Sequence, residues 1–343
     1  MKMKIKIDTS GKEAIYKQLV SCFEHGARDG SLTPGELLPS MNELADKLDI
    51  SKETVKKAYG ILVERGIIVP RQGKGFYAAD LTKNTRIQVL VIFDKFSVYK
   101  QILFNSFAER MGDNAEITIL NHNQDINLLE YYLDNSLDHY DYYVIAPHFP
   151  LDRATQAKVV KQLSRVPFRK LIQLDRLQPG MTGNFGAVYQ DFDNDIYTGL
   201  QEGVSKNRVA TRLRVLTLAS SLYGEVIHNG VSRFASDYFI PVEFITTVPN
   251  NIAPGDTFLV LNSQLDAGLV DLSRKINEKG LQIGKDVRII SYNEFDANEL
   301  VLGGLTTVST DFPEMGRTAA RMILSRKLDK VHNPFHMTRR STF

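Results

Sequence analysis

Between Arg71 and Tyr77 the chain reads RQGKGFY, with two glycines around Lys74, Arg71 before them and two aromatic residues after. Two chemistries use such a segment. A glycine-rich loop cradles nucleotide phosphates when it joins a strand to a helix and carries Ser or Thr directly after its lysine. A β-hairpin tip with the same residues lays its cations along the phosphates of DNA. Here Gly75 follows Lys74, and the flanking residues IIVP and FYAA read as strands. The nucleotide loop therefore fails, and a hairpin tip is expected whose glycines allow the positive φ of a tight turn. Arg71, Lys74 and Gly75 become candidate DNA contacts.

The elements before this tip must position it. Ile15, Leu19, Cys22 and Phe23 recur at helical spacing, predicting a first helix from about Lys12 to Arg28 that ends near Gly30, with Cys22 on its buried face. Ser40 with Glu43 three residues on makes a capping box for a short second helix, MNELADKL. Ser51, with Thr54 behind it, caps a third helix striped by Val55, Ala58, Leu62 and Val63. Two capped helices around a tight turn, followed by a hairpin, predict a winged helix-turn-helix. Charge agrees. Six basic residues (Lys52, Lys56, Lys57, Arg65, Arg71, Lys74) against two acidic ones lie within Ser51 to Gly75, although the whole chain carries only +2. A local excess of this kind is an electrostatic footprint for a polyanion.

The stretch Pro34 to Tyr77, PGELLPSMNELADKLDISKETVKKAYGILVERGIIVPRQGKGFY, resembles the winged helix-turn-helix of the GntR family of bacterial transcription regulators nearly position for position. The resemblance implies a homodimer reading two half-sites of operator DNA, with the third helix in the major groove and the wing on the flank. It places Asn42, Lys52 and Lys56 where the family contacts DNA, the two lysines standing where arginines are common. Lysine meets guanine as a point charge, whereas arginine makes a planar bidentate contact, so a different operator sequence is expected. Ser40, Ser51, Thr54 and Lys57 complete the expected DNA face, Lys57 as a phosphate contact, while Tyr59 reads as either contact or packing.

After a polar linker the pattern changes. RIQVLVIF, a helix from about Val98 to Met111, AEITILNHN, INLLEYYLDNSL, YDYYVIAPH, DRATQAKVVKQLSR and PFRKLIQLD alternate strand and helix. A second set follows from AVYQD to LTTVSTDFPEMGRTAARMIL. Such alternation predicts an α/β fold of parallel, doubly wound sheets in two lobes, with a ligand crevice at the carboxyl ends of the strands. The expected organisation is a DNA-binding domain over 1–80, a linker over 81–85 and a two-lobed effector domain over 86–343. The final TRR, Thr338 to Arg340, reads as an ordinary surface terminus.

QLDR at Gln173, AVYQDFDNDIYTGL at Ala187, LVLNSQLDAGLV at Leu259, VRIISYNE at Val287 and the stretch from Leu305 to Leu324 resemble the sugar-binding effector domain of LacI-type repressors, which has the periplasmic-binding-protein fold. That resemblance implies three crossings between lobes, near Gly186, Ser309 and a point after Lys327. It implies ligand contacts from Asp175, Asn262, Asn293 and Glu294, and from Asp94, Phe96 and Tyr99 after the first strand. His148 follows a strand and faces the same crevice. The family's arginine position holds Ile227, for which Tyr223, Glu225 or His228 would substitute.

Composition bounds these readings. A chain of 343 residues with 43% hydrophobic content supports two or three cores. Its N-terminus lacks a signal-peptide pattern and no long apolar run exists, so a cytoplasmic protein without membrane contact is expected. One cysteine and seven histidines without metal spacing predict no disulfide, metal or cofactor. No nucleophile elbow or dinucleotide fingerprint follows the assigned strands, which argues against an enzyme. The resulting expectation is a transcriptional regulator, a repressor, whose operator affinity is set by a small sugar, foremost a monosaccharide. The alternatives are a phosphosugar, nucleoside or other metabolite in the same architecture, or a sugar-binding protein or enzyme with no regulatory role.

Overall fold

The computed structural model describes residues 5–8, 13–80, 86–203, 211–217, 221–261 and 267–343, so the expected linker and the first predicted helical residue lie outside the described residues. Two compact units result, Met1–Arg86 and Ile87–Phe343.

In the first unit, α1 (Ile15–Asp29) stops at Gly30, whose φ of 79° is left-handed. Helix α2 (Met41–Leu48) opens on the complete Ser40–Glu43 capping box, and α3 (Lys52–Glu64) on the Ser51 hydroxyl, which accepts from the Thr54 amide. Strands β1 (Ile68–Arg71) and β2 (Gly75–Ala78) pair antiparallel with Arg71 opposite Gly75, closing the wing. Leu19, Phe23, Leu44, Val55, Ala58, Leu62 and Ile68 share one core. Tyr59 belongs to it too: its ring meets Phe23 and Phe76 edge-on, and its hydroxyl donates to the Pro39 carbonyl at 2.8 Å. That residue is packing. Cys22 is half-buried, a correction to the buried face expected of it, because the Leu19 and Phe23 positions take the centre of the stripe.

The second unit contains two six-stranded sheets. One is entirely parallel and is built from β3 (Ile87–Phe93), β4 (Ala115–Asn121), β5 (Tyr142–Ile145), β6 (Leu171–Asp175), β7 (Gly186–Tyr189) and β13 (Lys330–His332), in the order β13-β7-β6-β5-β3-β4. Helices α4 (Val98–Met111), α5 (Ile126–Ser136), α6 (Arg153–Leu163) and α10 (Phe312–Ser325) belong to this lobe. The second sheet is ordered β14-β12-β11-β10-β8-β9, from β8 (Arg212–Leu216), β9 (Val242–Ile245), β10 (Asp256–Val260), β11 (Arg288–Tyr292), β12 (Thr306–Thr310) and β14 (Phe335–Thr338). Only β14 runs antiparallel. Helices α7 (Phe192–Gly203), α8 (Gly224–Asp237) and α9 (Ala267–Glu278) complete that lobe. Interior strands such as β6 and β10 are buried at every position, as the uninterrupted apolar runs require.

The chain crosses between lobes three times, after β7, after β12 and between β13 and β14. Asn333 joins these crossings: its amide donates to the Tyr189 carbonyl at 2.8 Å, and its Nδ2 to Thr310 Oγ1 at 2.7 Å and the Asp311 carbonyl at 2.9 Å. The C-terminal residues are not an ordinary surface terminus. Arg340 forms a two-pronged ion pair with Glu294 at 2.9 and 3.0 Å, and buried Thr342 bonds the Thr306 amide and the Ile289 carbonyl, each at 2.8 Å.

Candidate functional site

Four neighbouring strands of the first lobe, β3, β5, β6 and β7, deliver Asp94, His148, Asp175 and Gln190 at or just beyond their carboxyl ends. Asp175 takes a left-handed φ of 69° there, as Asn293 does with 75° at the end of β11 in the other lobe. Such conformations are costly for non-glycine residues and concentrate at functional sites. Lys100, from the first turn of α4, reaches under the strand ends. Its buried ammonium contacts Asp175 Oδ2 and lies 3.5 Å from Asp94 Oδ1. Burial alone would favour neutral forms, but the ammonium beside them holds both carboxyls below their ordinary range, and the two carboxylates hold Lys100 above its own.

His148 Nε2 lies 3.0 Å from Asp175 Oδ2 and its Nδ1 lies 2.6 Å from the Tyr223 hydroxyl. Asp175 only accepts, so Nε2 carries the proton, and in the neutral ring Nδ1 accepts from Tyr223. Tyr223 precedes α8, so this bond joins the two lobes. Its ring stacks on Phe192 with centroids 4.2 Å apart and 9° between planes, and the Arg176 guanidinium lies 5.4 Å from it. Burial raises the Tyr223 hydroxyl well above the usual phenol value. Beside this plug lies a cavity of about 250 Å³ lined by Leu151, Arg176, Gln190, Asp191, Phe192 and Tyr223, among others. Gln190 and Tyr223 thus border the cavity and also bond the buried cluster.

Not every expected ligand contact joins this cluster. Tyr99 is buried between Phe312, stacked at 5.3 Å, and Phe295, edge-on at 6.1 Å. Phe96 is 57% exposed and touches Phe93. Glu294 is held by Arg340 and by the Thr307 hydroxyl, which donates to it. His228 packs on Phe244 with centroids 4.2 Å apart, burial holding its ring below the usual histidine value, and Glu225 is exposed on the same helix. Asn262 lies outside the described residues. Among the described residues no group of three or more His, Cys, Asp and Glu is placed to hold a metal ion, and no helix is long and apolar enough to cross a membrane.

On the first unit, Asn42, Lys52, Lys56, Arg71, Lys74 and Gly75 are exposed. Ser40 and Ser51 are engaged as helix caps, and the Thr54 hydroxyl lies 2.8 Å from Ser51 Oγ. Lys57 stands 3.9 Å over the Tyr16 ring and Arg71 4.5 Å over Tyr77, so both bases are braced by aromatic faces. Lys56 pairs with Glu53 at 3.6 Å, a solvent-exposed contact of small energetic weight. Gly73 and Gly75 take φ of 72° and 95°, which explains the glycines of the tip.

Residues 15–78 match the bacterial regulatory proteins of the gntR family, and residues 226–342 match a periplasmic binding protein-like domain. The chain joins a GntR-type winged helix-turn-helix to a periplasmic-binding-protein-like domain. Its GntR-type part is 34% identical over 84 residues to the HTH-type transcriptional repressor YtrA of Bacillus subtilis, covering 24% of this chain and 65% of that protein. It is 32% identical over 85 residues to the mannosyl-D-glycerate transport/metabolism system repressor MngR of Escherichia coli, covering 25% of this chain and 35% of that one. The chain thus spans less than two thirds of either relative. The periplasmic-binding-protein-like part shares its fold with the trehalose repressor of Escherichia coli, with a TM-score of 0.58 at 14% identity over 74% of this chain and all of that one. The Lac repressor bound to ONPG also has a TM-score of 0.58, at 17% identity over 86% of this chain and 92% of its own.

Within the periplasmic-binding-protein-like part, Ile227 is buried in the lobe core, so no cation enters from that position. The cation lining the cavity is Arg176, which donates to Gln156 Oε1 at 3.1 Å and the Pro147 carbonyl at 3.5 Å. Sequence reasoning missed Lys100 and Gln190 as site residues. A lysine beside the apolar stripe Tyr99, Leu103, Phe107 and Met111 was the available signal for the first.

Proposed function

We propose that this chain is a DNA-binding transcription regulator, a repressor, that acts as a homodimer and adjusts its operator affinity to a small sugar held between its two lobes. The observation that carries the reading is the set of polar strand ends, Asp94, His148, Asp175 and Gln190, tied through Tyr223 to the opposite lobe and placed in a chain that also bears a winged helix-turn-helix. Carboxylates and amides suit sugar hydroxyls because each bonds more than one. The cavity, about 250 Å³, is below the range of drug-sized sites and suits a monosaccharide. On the DNA side, Lys52, Lys56, Asn42 and Thr54 would read bases from α3 and its approach, while Lys57, Arg71 and Lys74 would hold phosphates.

The ligand acts only through its difference in affinity between lobe arrangements. The test begins by selecting DNA from a random pool with full-length protein, then measures affinity for the enriched sequence with and without each monosaccharide that raises the melting temperature. The expected result is a sequence-specific, salt-sensitive complex whose affinity changes at least tenfold with one sugar. Selected DNA whose affinity no sugar alters would sink the sensing half of the reading. Failure to enrich any sequence would sink the other.

A further inference from the structure

The strand-end cluster has spent its donors and kept its acceptors. Lys100 gives its ammonium to Asp175 and stands against Asp94, His148 gives Nε2–H to Asp175, Gln190 gives Nε2 to Asp175, and Arg176 is engaged by Gln156 and the Pro147 carbonyl. Among the described residues, buried Gln190 Oε1 has no hydrogen-bonding donor, and buried Asp94 Oδ1 faces the Lys100 ammonium at 3.5 Å, an ammonium already given to Asp175. The amide orientation of Gln190 is fixed, because its nitrogen must face the Asp175 carboxylate. At the end of β11 in the other lobe, Asn293 Oδ1 is likewise a buried acceptor without a partner among the described residues, while the Tyr292 hydroxyl, also without one there, belongs to a residue of that lobe's core and can donate as well as accept. An unsatisfied buried acceptor is destabilising, and a donating ligand would recover that loss.

From this imbalance we infer that the cleft takes an uncharged ligand rich in hydroxyl donors and discriminates against phosphorylated or carboxylated forms of the same molecule. This deepens the sugar-sensing reading and rests on it. An ionised phosphate or carboxylate brings only acceptors, which would face Asp94 Oδ1 and Gln190 Oε1 with nothing to share. Charge acts in the same direction. Around the cluster and cavity stand the carboxylates Asp94, Asp175 and Asp191 against Lys100 and Arg176, so an anion meets a net negative wall. A hydroxyl satisfies such acceptors and carries no charge against that wall.

The test is calorimetric titration of the full chain with common hexoses, pentoses and deoxyhexoses, each beside its sugar phosphate and, where one exists, its uronic acid. The expected result is that a neutral sugar binds and its charged counterparts bind at least tenfold more weakly. Asp94→Asn, which replaces an acceptor by an amide that also donates, should narrow that ratio, with the circular dichroism spectrum confirming the fold. A phosphate or uronate that binds as tightly as its neutral parent overturns the inference while leaving sugar sensing intact. Binding of an uncharged nucleoside alone overturns the sugar reading but keeps the preference for uncharged donors. A flat response to every sugar, acid, phosphate and nucleoside overturns both.

Discussion

Lys100 shows how much of this site depends on one side chain. Its ammonium is the cation that two carboxylates share, their side chains only 6% and 7% exposed. Removing one member of a buried charged group leaves the others uncompensated, at a cost of about 3–5 kcal/mol. Lys100→Met should lower stability by that order in urea titrations at pH 7.5. The pH dependence identifies the cause. In the wild type, Asp94 and Asp175 titrate below their ordinary range, so their stabilisation is present above the usual carboxylate pKa and is lost only as pH falls through the lower folded values. Without the lysine the two like charges push a folded carboxyl up instead, and protonation then relieves the variant. The gap between wild type and Lys100→Met should therefore narrow as pH falls from 7.5 to 5. A gap of constant size would mean that Lys100 contributes by packing its methylenes and that the charges are compensated elsewhere.

At the scale of elements, each lobe presses two helices together where a glycine removes a side chain. A Cβ on Gly316 of α10 would collide with the Leu103 carbonyl oxygen of α4, and one on Gly230 of α8 with the Asp193 carbonyl oxygen of α7. Both obstacles are backbone, so neither yields easily. Gly316→Ala should cost about 1–3 kcal/mol, as overpacking does. Gly60→Ala, at an exposed position of α3 where a Cβ meets nothing within 4 Å, should gain about 0.5–1 kcal/mol from helix propensity. Paired thermal melts check both signs at once; equal effects would mean that the α4–α10 contact gives way freely. These elements were legible in the sequence to different degrees. Helix α4 matches its expected bounds at both ends, because Ser97 caps it and Gly112 stops it. Strands β13 and β14, of three and four residues with mostly exposed side chains, resemble loop in sequence and exist through pairing with β7 and β12. Asp175 and His148 could be located because strand ends place them. The pairing of Glu294 with Arg340 could not be read, because the arginine lies 46 residues away in a segment that reads as a tail.

The crossings join the two lobes, and those crossings hold a proton site. Asp195, in the first turn of α7 just past the first crossing, receives His332 Nε2 at 2.7 Å from the third and the Asp191 amide at 2.8 Å. Asn333, the next residue, bonds the first and second crossings, so the pair sits at the point about which the lobes are joined. Burial raises the Asp195 carboxyl to about 6, more than attraction to His332 lowers it. A folded pKa above the unfolded one means that the folded state binds the extra proton. The associated stability is fully present below about pH 4 and is lost as pH rises through about 6. Asp195→Asn keeps the shape and removes the titration. Relative to that variant, the wild type should gain on acidification, by at most about 3 kcal/mol between pH 7.5 and 4.5, or several degrees in melting temperature. A difference independent of pH would show the carboxylate ionised throughout, held as a fixed ion pair with His332, and the joint between the lobes would then carry no proton sensitivity of its own.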